Sequence, residues 1–364
     1  MSSAPSHTAP RRATITDVAR EAGTGKTSIS RYLNGEMSVL SPELRARIEA
    51  AIERLDYQPN QMARGLKRGR NRLIGMLLAD LTNPYSVEVL QGVEAACHAL
   101  GLMPLICHAA NEVEMERRYL QLLTTYRVEG VIVNALGVRE ETLRPVGSGG
   151  IPTVLVDRSV DGLVADIVGL DNRAAAELGT RHLLARGFCD IWFVVQPFEQ
   201  VSSRRLREAA FRDVMSAEGA EGAAHAHGHR ARGRTLALNL ADPSQTEHSL
   251  AELDRAIDAA NSRPDAVGNA ARLAVFAANA PVALRLALHL KARYGADWQA
   301  RVALLSIDDP EWAELTGITA IRQPTYEIGY RAVEFLHERI EGVQTTARDC
   351  LLPGELIVRA STSG

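Results

Sequence analysis

From residue 72 onward, short apolar segments alternate with amphipathic ones, and this alternation constrains the fold more than any other feature. Segments with helical spacing cover residues 84–100, 112–127, 172–186, 203–218, about 245–260 and 281–294. The strand-like segments are LIGMLLAD, MPLICHA, GVIVNAL, PTVLVD, DIWFVVQ, LAVFAAN and VALLSID. Strands that alternate with helices form parallel sheets covered by helices on both faces. Two such series predict an α/β domain of two lobes over residues 72–364.

The amino-terminal part has a different charge balance from the rest of the chain. Residues 11–72 hold 13 Lys and Arg against 7 Asp and Glu, a balance of +6. The whole chain carries −3, so the remainder carries −9. A small basic module attached to a larger acidic body is typical of a nucleic-acid-binding protein. We expect residues 1–13, which precede this module, to form a disordered tail.

Two short helices joined by a glycine-containing turn are predicted next. In TITDVAREA the apolar residues share one face, and Thr16 is placed to cap the helix. After the turn at Gly23, the segment KTSISRYLN places Ile29 and Leu33 four residues apart, where both would face the first helix. This pattern predicts a helix-turn-helix. The opposite face of the second helix presents donors suited to phosphates and base edges in a major groove: Lys26, Thr27, Arg31 and Asn34.

The triplet Gly25-Lys26-Thr27 also resembles the end of a phosphate-binding loop. That loop needs a glycine five residues before Gly25, where this chain has Arg20. It also follows a buried strand, whereas this triplet follows a predicted helix. The sequence therefore favours contacts of Lys26 and Thr27 with DNA over an ATP site.

A third helix is predicted at SPELRARIEAAIERLDY, with Ser41 as N-cap and Pro42 at the first position. Four apolar residues at helical spacing would close the small core: Leu44, Ile48, Ile52 and Leu55. The basic segment PNQMARGLKRGR follows at residues 59–70. It is either a solvated linker or a short helix, capped by Asn60, that exposes Leu66 as an apolar wedge for a minor groove.

Three stretches together carry a family resemblance: TITDVAREAGTGKTSISRYLNGE, RIEAAIERLDYQPNQMARGLKRGR and LIGMLLADLTNPYS. They resemble the lactose-repressor (LacI) family of bacterial transcription regulators, and the likeness runs from about Thr14 to the carboxyl terminus. The resemblance implies a DNA-reading headpiece at 14–58 and a hinge helix and linker at 59–71 that orders on operator DNA. It also implies two periplasmic-binding-protein-like lobes at 72–364, joined by three crossovers.

The same resemblance implies the DNA contacts. Base readers would be Lys26, Thr27 and Arg31 in the major groove, with Ala63 and Leu66 in the minor groove. Phosphate contacts would be Thr14, Thr16, Ser28, Asn34 and Asn60. The family commonly has serine where this chain has Gly25. Glycine is a passable N-cap, and Thr24 could instead shift the helix start by one residue.

Ligands of parallel sheets bind beyond the carboxyl ends of the strands. The residues at those ends here are Asn83-Pro84-Tyr85-Ser86, Asp157-Arg158, Ser202-Ser203 with Arg207, Asn279, and Asp308-Asp309. The family resemblance implies effector contacts at Tyr85, Ser86, Arg158, Ser203, Arg207, Phe276, Asn279 and Asp308. Simpler roles stay open: Arg158 as a surface ion pair, Asp308 as a turn former, Phe276 as core.

Two departures from the family fall near this site. The family usually follows the equivalent of Asn279 with Asp, whereas this chain has Ala280. Residues 263–271, RPDAVGNAA, have the character of an insertion before a strand.

Other chemistries have weaker signals. His225, His227 and His229 alternate in a Gly/Ala-rich stretch without an evident fourth ligand, so no metal site is expected. Asp308 and Asp309 are adjacent on a strand and would point apart, which disfavours a catalytic pair. The four cysteines lack metal or disulfide spacing and are expected to be reduced and mostly buried. No catalytic residue and no cofactor is expected.

The sequence thus predicts a cytoplasmic, ligand-responsive repressor that binds double-stranded operator DNA as a homodimer. No apolar run is long enough to span a bilayer, and no heptad leucines extend the carboxyl end. Arg158 and Arg207 would both face the cleft between the lobes, and two arginines in one pocket suggest an anionic effector, because a guanidinium binds a carboxylate through two parallel hydrogen bonds. The segments GKTSISRYLNGE and PNQMARGLKRGR resemble the gluconate and 2-ketogluconate repressors. Alternatives are a neutral-sugar effector, a co-repressor, or a sugar-binding protein without DNA function.

Overall fold

The computed structural model describes residues 12–59, 70–134, 136, 150–160, 162–198, 201–220, 231–262 and 272–363. The chain forms two compact units, Met1–Asn71 and Arg72–Gly364. None of the helices within these described ranges combines the length and the apolarity needed to cross a membrane.

Residues 12–59 of the amino-terminal unit form three α-helices: α1 (Ile15–Glu21), α2 (Lys26–Leu33) and α3 (Pro42–Arg54). Their apolar faces meet in one small core, in which Val18, Ile29 and Ile48 are fully buried. The predicted cap of α3 is confirmed, because the Ser41 Oγ accepts a hydrogen bond from the Leu44 backbone N–H. The helix-turn-helix arrangement predicted from the spacing is therefore what the chain adopts.

The cap of α1 differs from the prediction. Thr14, not Thr16, is the N-cap, and it forms a capping box with Asp17 in which each side chain accepts from the other residue's backbone N–H. Thr16 is exposed as the second residue of the helix. The reciprocal partner three residues later decides the choice, because Thr16 has Ala19 at that position and Thr14 has Asp17.

The turn between α1 and α2 is held from α3. Arg47 donates from Nε to the Ala22 carbonyl at 3.1 Å and from Nη2 to the Gly23 carbonyl at 2.8 Å. Gly23 has a φ of +59°, and a Cβ there would lie 2.8 Å from the Arg47 guanidinium. Glycine therefore serves both the left-handed backbone and the close approach of Arg47.

The described residues of the carboxyl-terminal unit form twelve strands in two six-stranded sheets. The strands of lobe 1 are β1 (Leu73–Leu78), β2 (Met103–His108), β3 (Gly130–Asn134), β4 (Thr153–Val156), β5 (Asp166–Leu170) and β11 (Asp349–Leu352). Their order is β11-β5-β4-β3-β1-β2, and all of them are parallel.

Lobe 2 has the order β12-β10-β9-β8-β6-β7, and only the β10–β12 pair is antiparallel. Its strands are β6 (Asp190–Val195), β7 (Arg232–Ala237), β8 (Leu273–Ala277), β9 (Val302–Ile307), β10 (Thr319–Arg322) and β12 (Glu355–Ile357).

Helices cover both faces of each sheet. In lobe 1, α4 (Pro84–Leu100) and α11 (Thr325–Ile340) pack on one face and α5 (Val113–Thr125) on the other. In lobe 2, α6 and α7 pack on one face and α8 and α9 on the other. The lobe 2 helices are α6 (Asn172–Ala185), α7 (Ser202–Ala220), α8 (Pro243–Asn261), α9 (Ala280–Tyr294) and α10 (Glu311–Thr316).

The chain crosses between the lobes three times. It leaves lobe 1 after β5 to enter α6, returns after β10 through α11, and crosses again between β11 and β12. The predicted fold class, a three-helix headpiece followed by a two-lobed parallel α/β unit, is confirmed. All four cysteines are free, as predicted, and Cys97 and Cys107 are buried.

Candidate functional site

A cleft of about 1110 Å³ in the carboxyl-terminal unit lies where the carboxyl ends of strands from both lobes meet. Lobe 1 contributes Ala79, Asn134 and Asp157, which end or directly follow β1, β3 and β4. Lobe 2 contributes residues that follow β6, β8 and β9: Gln196, Asn279 and Asp308. This is the position in which open parallel sheets bind their ligands.

Seven of the eight predicted effector residues line this cleft: Tyr85, Ser86, Arg158, Ser203, Arg207, Asn279 and Asp308. Phe276 does not. Its side chain points from β8 into the core of lobe 2, where its ring meets Phe193 edge-on at 5.2 Å between centroids. Side chains alternate along a strand, and the position of Phe276 puts it on the face covered by α6 and α7.

Arg207 is the most enclosed cation of the cleft. Its side chain extends from α7, and its Nε donates to the Asn172 Oδ1 at 2.6 Å while Nη1 donates to the Ala278 carbonyl at 2.7 Å. The remaining nitrogen, Nη2, lies 3.7 Å from the Asp157 Oδ1. Asn172 is the first residue of α6, so Arg207 holds a crossover between lobes as well as a wall of the cleft.

Asp157 joins the two lobes at the cleft. From the end of β4 in lobe 1, its Oδ2 accepts a hydrogen bond of 3.1 Å from the Ser203 hydroxyl of lobe 2. The same oxygen lies 3.4 Å from the Arg158 Nε. A second bond links the lobes nearby, where the Ser159 backbone N–H donates to the Ser202 Oγ at 3.0 Å.

Asp157 and Asp308 share a strained backbone. Their φ values are +67° and +78°, in the left-handed region that non-glycine residues rarely adopt. Each directly follows a buried parallel strand and turns its carboxylate toward the cleft. Backbone strain of this kind clusters at functional sites and requires surroundings that hold the residue in place.

Asp308 is held by two donors. The Ala280 backbone N–H donates to its Oδ2 at 2.8 Å, and the Gln323 side-chain amide donates to its Oδ1 at 2.5 Å. Burial raises the pKa of this carboxyl above its usual value, although the Arg207 charge and both hydrogen bonds act in the opposite direction. Ala280, where the family usually has Asp, thus contributes through its backbone.

Tyr85 and Ser86 stand at the start of α4. Asn83 caps this helix by accepting from the Tyr85 N–H at 3.2 Å. The Tyr85 hydroxyl is buried and has no hydrogen-bond partner among the residues that the structure describes. Burial and the Asp157 carboxylate raise its pKa well above the usual value, so the hydroxyl stays protonated and available as a donor.

Asn279 has a structural task at the opposite wall. Its Oδ1 caps α9 by accepting from the Val282 N–H at 3.1 Å, and its Nδ2 donates to the Gln196 Oε1 at 2.8 Å. Gln196 directly follows β6 and is therefore another strand-end residue at the cleft. Together the two amides form a polar surface beside Asp308.

Sequence reasoning missed several residues at the cleft: Asn134, Gln196, Arg204, Trp312 and Gln323. Asn134 and Gln196 carry the same strand-end signal as the predicted residues. Arg204 directly follows the predicted Ser203, on the first turn of α7. Gln323 follows β10, whose four residues are too few to give a strand signal in the sequence.

Arg204 is the third arginine of a cluster with Arg158 and Arg207. Its Nη1 donates to the Pro197 carbonyl at 2.9 Å. Burial lowers the pKa of its guanidinium to about 10, and the like charges of Arg158 and Arg207 contribute to that shift. The cleft therefore concentrates positive charge at one point of its wall.

Five of the residues predicted to contact DNA lie on or directly after α2 of the amino-terminal unit. Lys26, Thr27 and Arg31 of α2 are exposed, whereas Ser28 and Asn34 are half-buried. The helix begins at Lys26 with Gly25 as N-cap and without a side-chain cap. Glycine at this position leaves the helix start unchanged, and Thr24 does not shift it.

Several predictions fall outside the residues that the structure describes. These are the contacts assigned to Asn60, Ala63 and Leu66, the histidines at 225, 227 and 229, and the insertion at 263–271. Among the residues it does describe, no group of three or more His, Cys, Asp or Glu side chains is arranged to hold a metal ion.

Comparisons with known proteins agree with this architecture. Residues 14–60 match the lacI family of bacterial regulatory proteins, and residues 180–362 match the periplasmic binding protein-like domain. The chain is 42% identical over 354 residues to the HTH-type transcriptional regulator PtxS of Pseudomonas aeruginosa, with 96% of each chain covered. It is 32% identical over 350 residues to the HTH-type transcriptional regulator KdgR of Bacillus subtilis, covering 96% of this chain and 97% of that protein.

The fold also matches a solved structure of the lac repressor dimer bound to operator and the anti-inducer ONPF. The TM-score is 0.77 at 21% identity, and the match covers 97% of this chain and 100% of that chain. The family matches extend over the helix-turn-helix and most of the two-lobed unit, and the relatives match end to end. The chain therefore belongs to the lacI family of bacterial transcriptional regulators.

Proposed function

We propose that this regulator is a repressor that binds a near-palindromic operator as a homodimer and is released by a small sugar acid of the gluconate or 2-ketogluconate type. The observation that supports the effector class is the cluster of Arg158, Arg204 and Arg207 on one side of the cleft. Guanidinium groups bind carboxylates through paired, charge-assisted hydrogen bonds, which a neutral sugar does not offer.

The rest of the cleft suits a polyhydroxylated carbon chain. Ser86, Ser203 and Asn279 carry donors and acceptors for hydroxyl groups, and the Tyr85 hydroxyl is a buried donor without a protein partner in the described structure. The Tyr85 ring provides an apolar face for the carbon skeleton. We assign that task to Tyr85 alone, because Phe276 lies in the core.

The DNA-binding part of the proposal rests on the exposed face of α2. Lys26, Thr27 and Arg31 would read bases in the major groove, and Thr14, Thr16, Ser28 and Asn34 would contact phosphates. Asn60, Ala63 and Leu66 keep their proposed roles in the hinge at 59–71. Two identical headpieces related by a two-fold axis would require inverted half-sites.

The cleft also supplies a mechanism for release. Asp157, Ser203 and Arg207 connect the lobes across the cleft, so a ligand that contacts the same groups changes the free energy of the lobe arrangement. A ligand shifts a two-state equilibrium only by its difference in affinity for the two states. An acid that binds more tightly to the lobe arrangement unable to bind DNA would therefore reduce the population of the arrangement that can.

One observation favours a second candidate, a neutral-sugar effector. Asp157 and Asp308 place two carboxylates in the same cleft, and carboxylates accept hydrogen bonds from sugar hydroxyls while repelling an acid. Isothermal titration calorimetry with gluconate, 2-ketogluconate and glucose separates the candidates. The proposal predicts binding of at least one acid and weaker binding of glucose. Tight binding of glucose without a response to either acid would establish the alternative.

The oligomeric state and the operator need their own test. Sedimentation velocity should give a dimer, and selection from random duplexes should recover inverted repeats. A monomer that selects single half-sites would refute the dimeric operator complex.

A further inference from the structure

Arg158, Arg204 and Arg207 line one side of the cleft, and their different hydrogen-bond and ion-pair partners suggest different roles. Arg207 uses Nε and Nη1 for Asn172 and the Ala278 carbonyl, and its Nη2 faces the Asp157 carboxylate at 3.7 Å. Two of its three nitrogens therefore already donate to the protein, and the third lies beside a negative charge. Arg207 is thus placed to fix the cleft wall.

Arg158 is engaged with the same carboxylate. Its Nε lies 3.4 Å from the Asp157 Oδ2. A ligand carboxylate that approached Arg158 or Arg207 from this side would meet the charge of Asp157 at close range. Like charges at such distances oppose binding most strongly where water is excluded.

Arg204 differs in its partners. Its Nη1 donates to the Pro197 carbonyl, which is neutral, and the described residues place no carboxylate oxygen within ion-pair distance of its guanidinium. It extends from the first turn of α7, a helix of 19 residues whose amino-terminal end carries a partial positive charge. The field of the neighbouring Arg158 and Arg207 adds to that potential.

We propose that Arg204 is the specificity-determining residue that makes the cleft prefer a sugar acid over its neutral analogue. This inference rests on the proposed sugar-acid effector and adds which arginine binds the carboxylate. Arg204 would receive the carboxylate, while Arg207 and Asp157 hold the lobes and meet hydroxyl groups. Burial and the charges of Arg158 and Arg207 lower the pKa of Arg204 to about 10, while the Asp157 charge acts in the opposite direction, and a ligand carboxylate would add a counter-charge at close range.

The test compares an acid with a neutral molecule of the same shape. Gluconate and gluconamide differ only in the carboxylate, so the ratio of their affinities reports recognition of charge. Calorimetry on the full-length protein should show gluconate binding more tightly than gluconamide. In Arg204→Met, which keeps the apolar stem, the gluconate affinity should fall about 10- to 100-fold. The gluconamide affinity should change by less than about threefold, because that ligand does not use the charge.

Arg181 provides the matched control. It is exposed on α6, it is not among the residues that line the cleft, and its charge does not contribute to the shifted pKa of Arg204. Arg181→Met should therefore leave the gluconate-to-gluconamide ratio near the wild-type value. An Arg204→Lys variant, which retains the charge without the planar fork, should recover part of the ratio.

Each outcome decides between the two proposals. An equal loss for both ligands in Arg204→Met, or equal effects of Arg204→Met and Arg181→Met, would overturn the role of Arg204 while the sugar-acid effector stands. Failure of the wild-type protein to bind gluconate and 2-ketogluconate would overturn the effector class, and the role of Arg204 with it. Melting temperatures and operator binding of the variants identify a loss that reflects misfolding.

Discussion

The Ser203 hydroxyl of lobe 2 donates a hydrogen bond of 3.1 Å to the Asp157 carboxylate of lobe 1, directly across the cleft. Asp157 therefore contributes a negative charge beside Arg158 and Arg207, where the proposed effector would also bring one. Replacing Asp157 by Asn keeps an acceptor for Ser203 and removes the repulsion.

We expect Asp157→Asn to raise the ratio of gluconate to gluconamide affinity several-fold, because only the acid is repelled by the native carboxylate. Calorimetry with both ligands gives the ratio, and Asp213→Asn, an exposed carboxylate on α7, is the control. A ratio that falls in Asp157→Asn would show that the carboxylate assists acid binding and would contradict this interpretation.

Arg207→Ala should affect both binding and stability. It leaves the Asn172 Oδ1 and the Ala278 carbonyl without their buried donor, and each loss costs about 1 to 3 kcal/mol. Effector binding should be abolished while operator binding persists, because the headpiece is a separate compact unit. Urea unfolding, calorimetry and operator anisotropy measure the three effects.

The control for that experiment is Arg181→Ala, which removes an exposed arginine of helix α6 and its 3.9 Å contact with Glu218. Its unfolding free energy should change by less than about 1 kcal/mol. If Arg207→Ala behaves like Arg181→Ala in both stability and effector binding, the contacts of Arg207 do not have the role described.

Asp166 should make the stability of the carboxyl-terminal unit depend on pH. The carboxylate is buried at the start of β5 and accepts hydrogen bonds from Arg339 of α11 and from Arg348 before β11. Burial alone would raise its pKa, but the hydrogen bonds and charges of the two arginines outweigh burial and hold the pKa well below its usual range.

A depressed pKa stabilises the native state above the unfolded value of about 4, and the contribution is lost as the pH falls toward the folded value. We therefore expect Asp166→Asn to lower the unfolding free energy at pH 7 by about 3 to 5 kcal/mol. The deficit relative to wild type should shrink below about pH 4. Urea titrations across this pH range measure the deficit.

The exposed pair of Arg173 and Asp213 serves as control, since Asp213→Asn should cost less than about 1 kcal/mol. A deficit that stays constant with pH would contradict the assignment.

Arg31 is expected to act as a base reader. It is exposed near the end of α2, with its Nε 4.0 Å from the Glu36 carboxylate, a distance that leaves the pair weak. Arg31→Ala should weaken operator binding by about 1 to 3 kcal/mol and relax the preference at a single base position. A uniform loss across all operator variants would instead make Arg31 a phosphate contact. Arg54 is the last residue of α3 and not part of α2, so Arg54→Ala should leave the base preference unchanged.

The strongly apolar strands of both lobes could be predicted from sequence because segments such as LIGMLLAD and DIWFVVQ are buried on both faces and read as continuous apolar runs. Strand β7, RGRTLA, was not predicted because it lies at a sheet edge and four of its six residues are exposed. The short β10 and β12 gave too few residues for a pattern.

The burial of the carboxyl-terminal STS segment could not be predicted from its residue types. Ser361 and Thr362 are fully buried, and their hydroxyls bond to the Leu304 carbonyl and to Thr319. Polar residue types predict exposure, and only tertiary hydrogen bonding reverses that expectation. The residues of the cleft were predicted better than the edge strands and the carboxyl-terminal segment, because the carboxyl ends of parallel strands lie together at one edge of the sheet. Arg204 was not predicted because its proposed role depends on the contacts that Arg158 and Arg207 make in the folded protein, which the sequence does not show.

Release of this regulator from its operator by a sugar acid can be tested by competition on the bound complex. A fluorescent operator complex is titrated with gluconate, 2-ketogluconate and glucose while anisotropy is followed. We expect at least one acid to lower the anisotropy to the free-DNA value, glucose to do so far less, and Arg204→Met to require about 10- to 100-fold more acid. An acid that leaves the complex intact or strengthens it, or glucose that releases the operator as readily as the acids, would contradict release by a sugar acid.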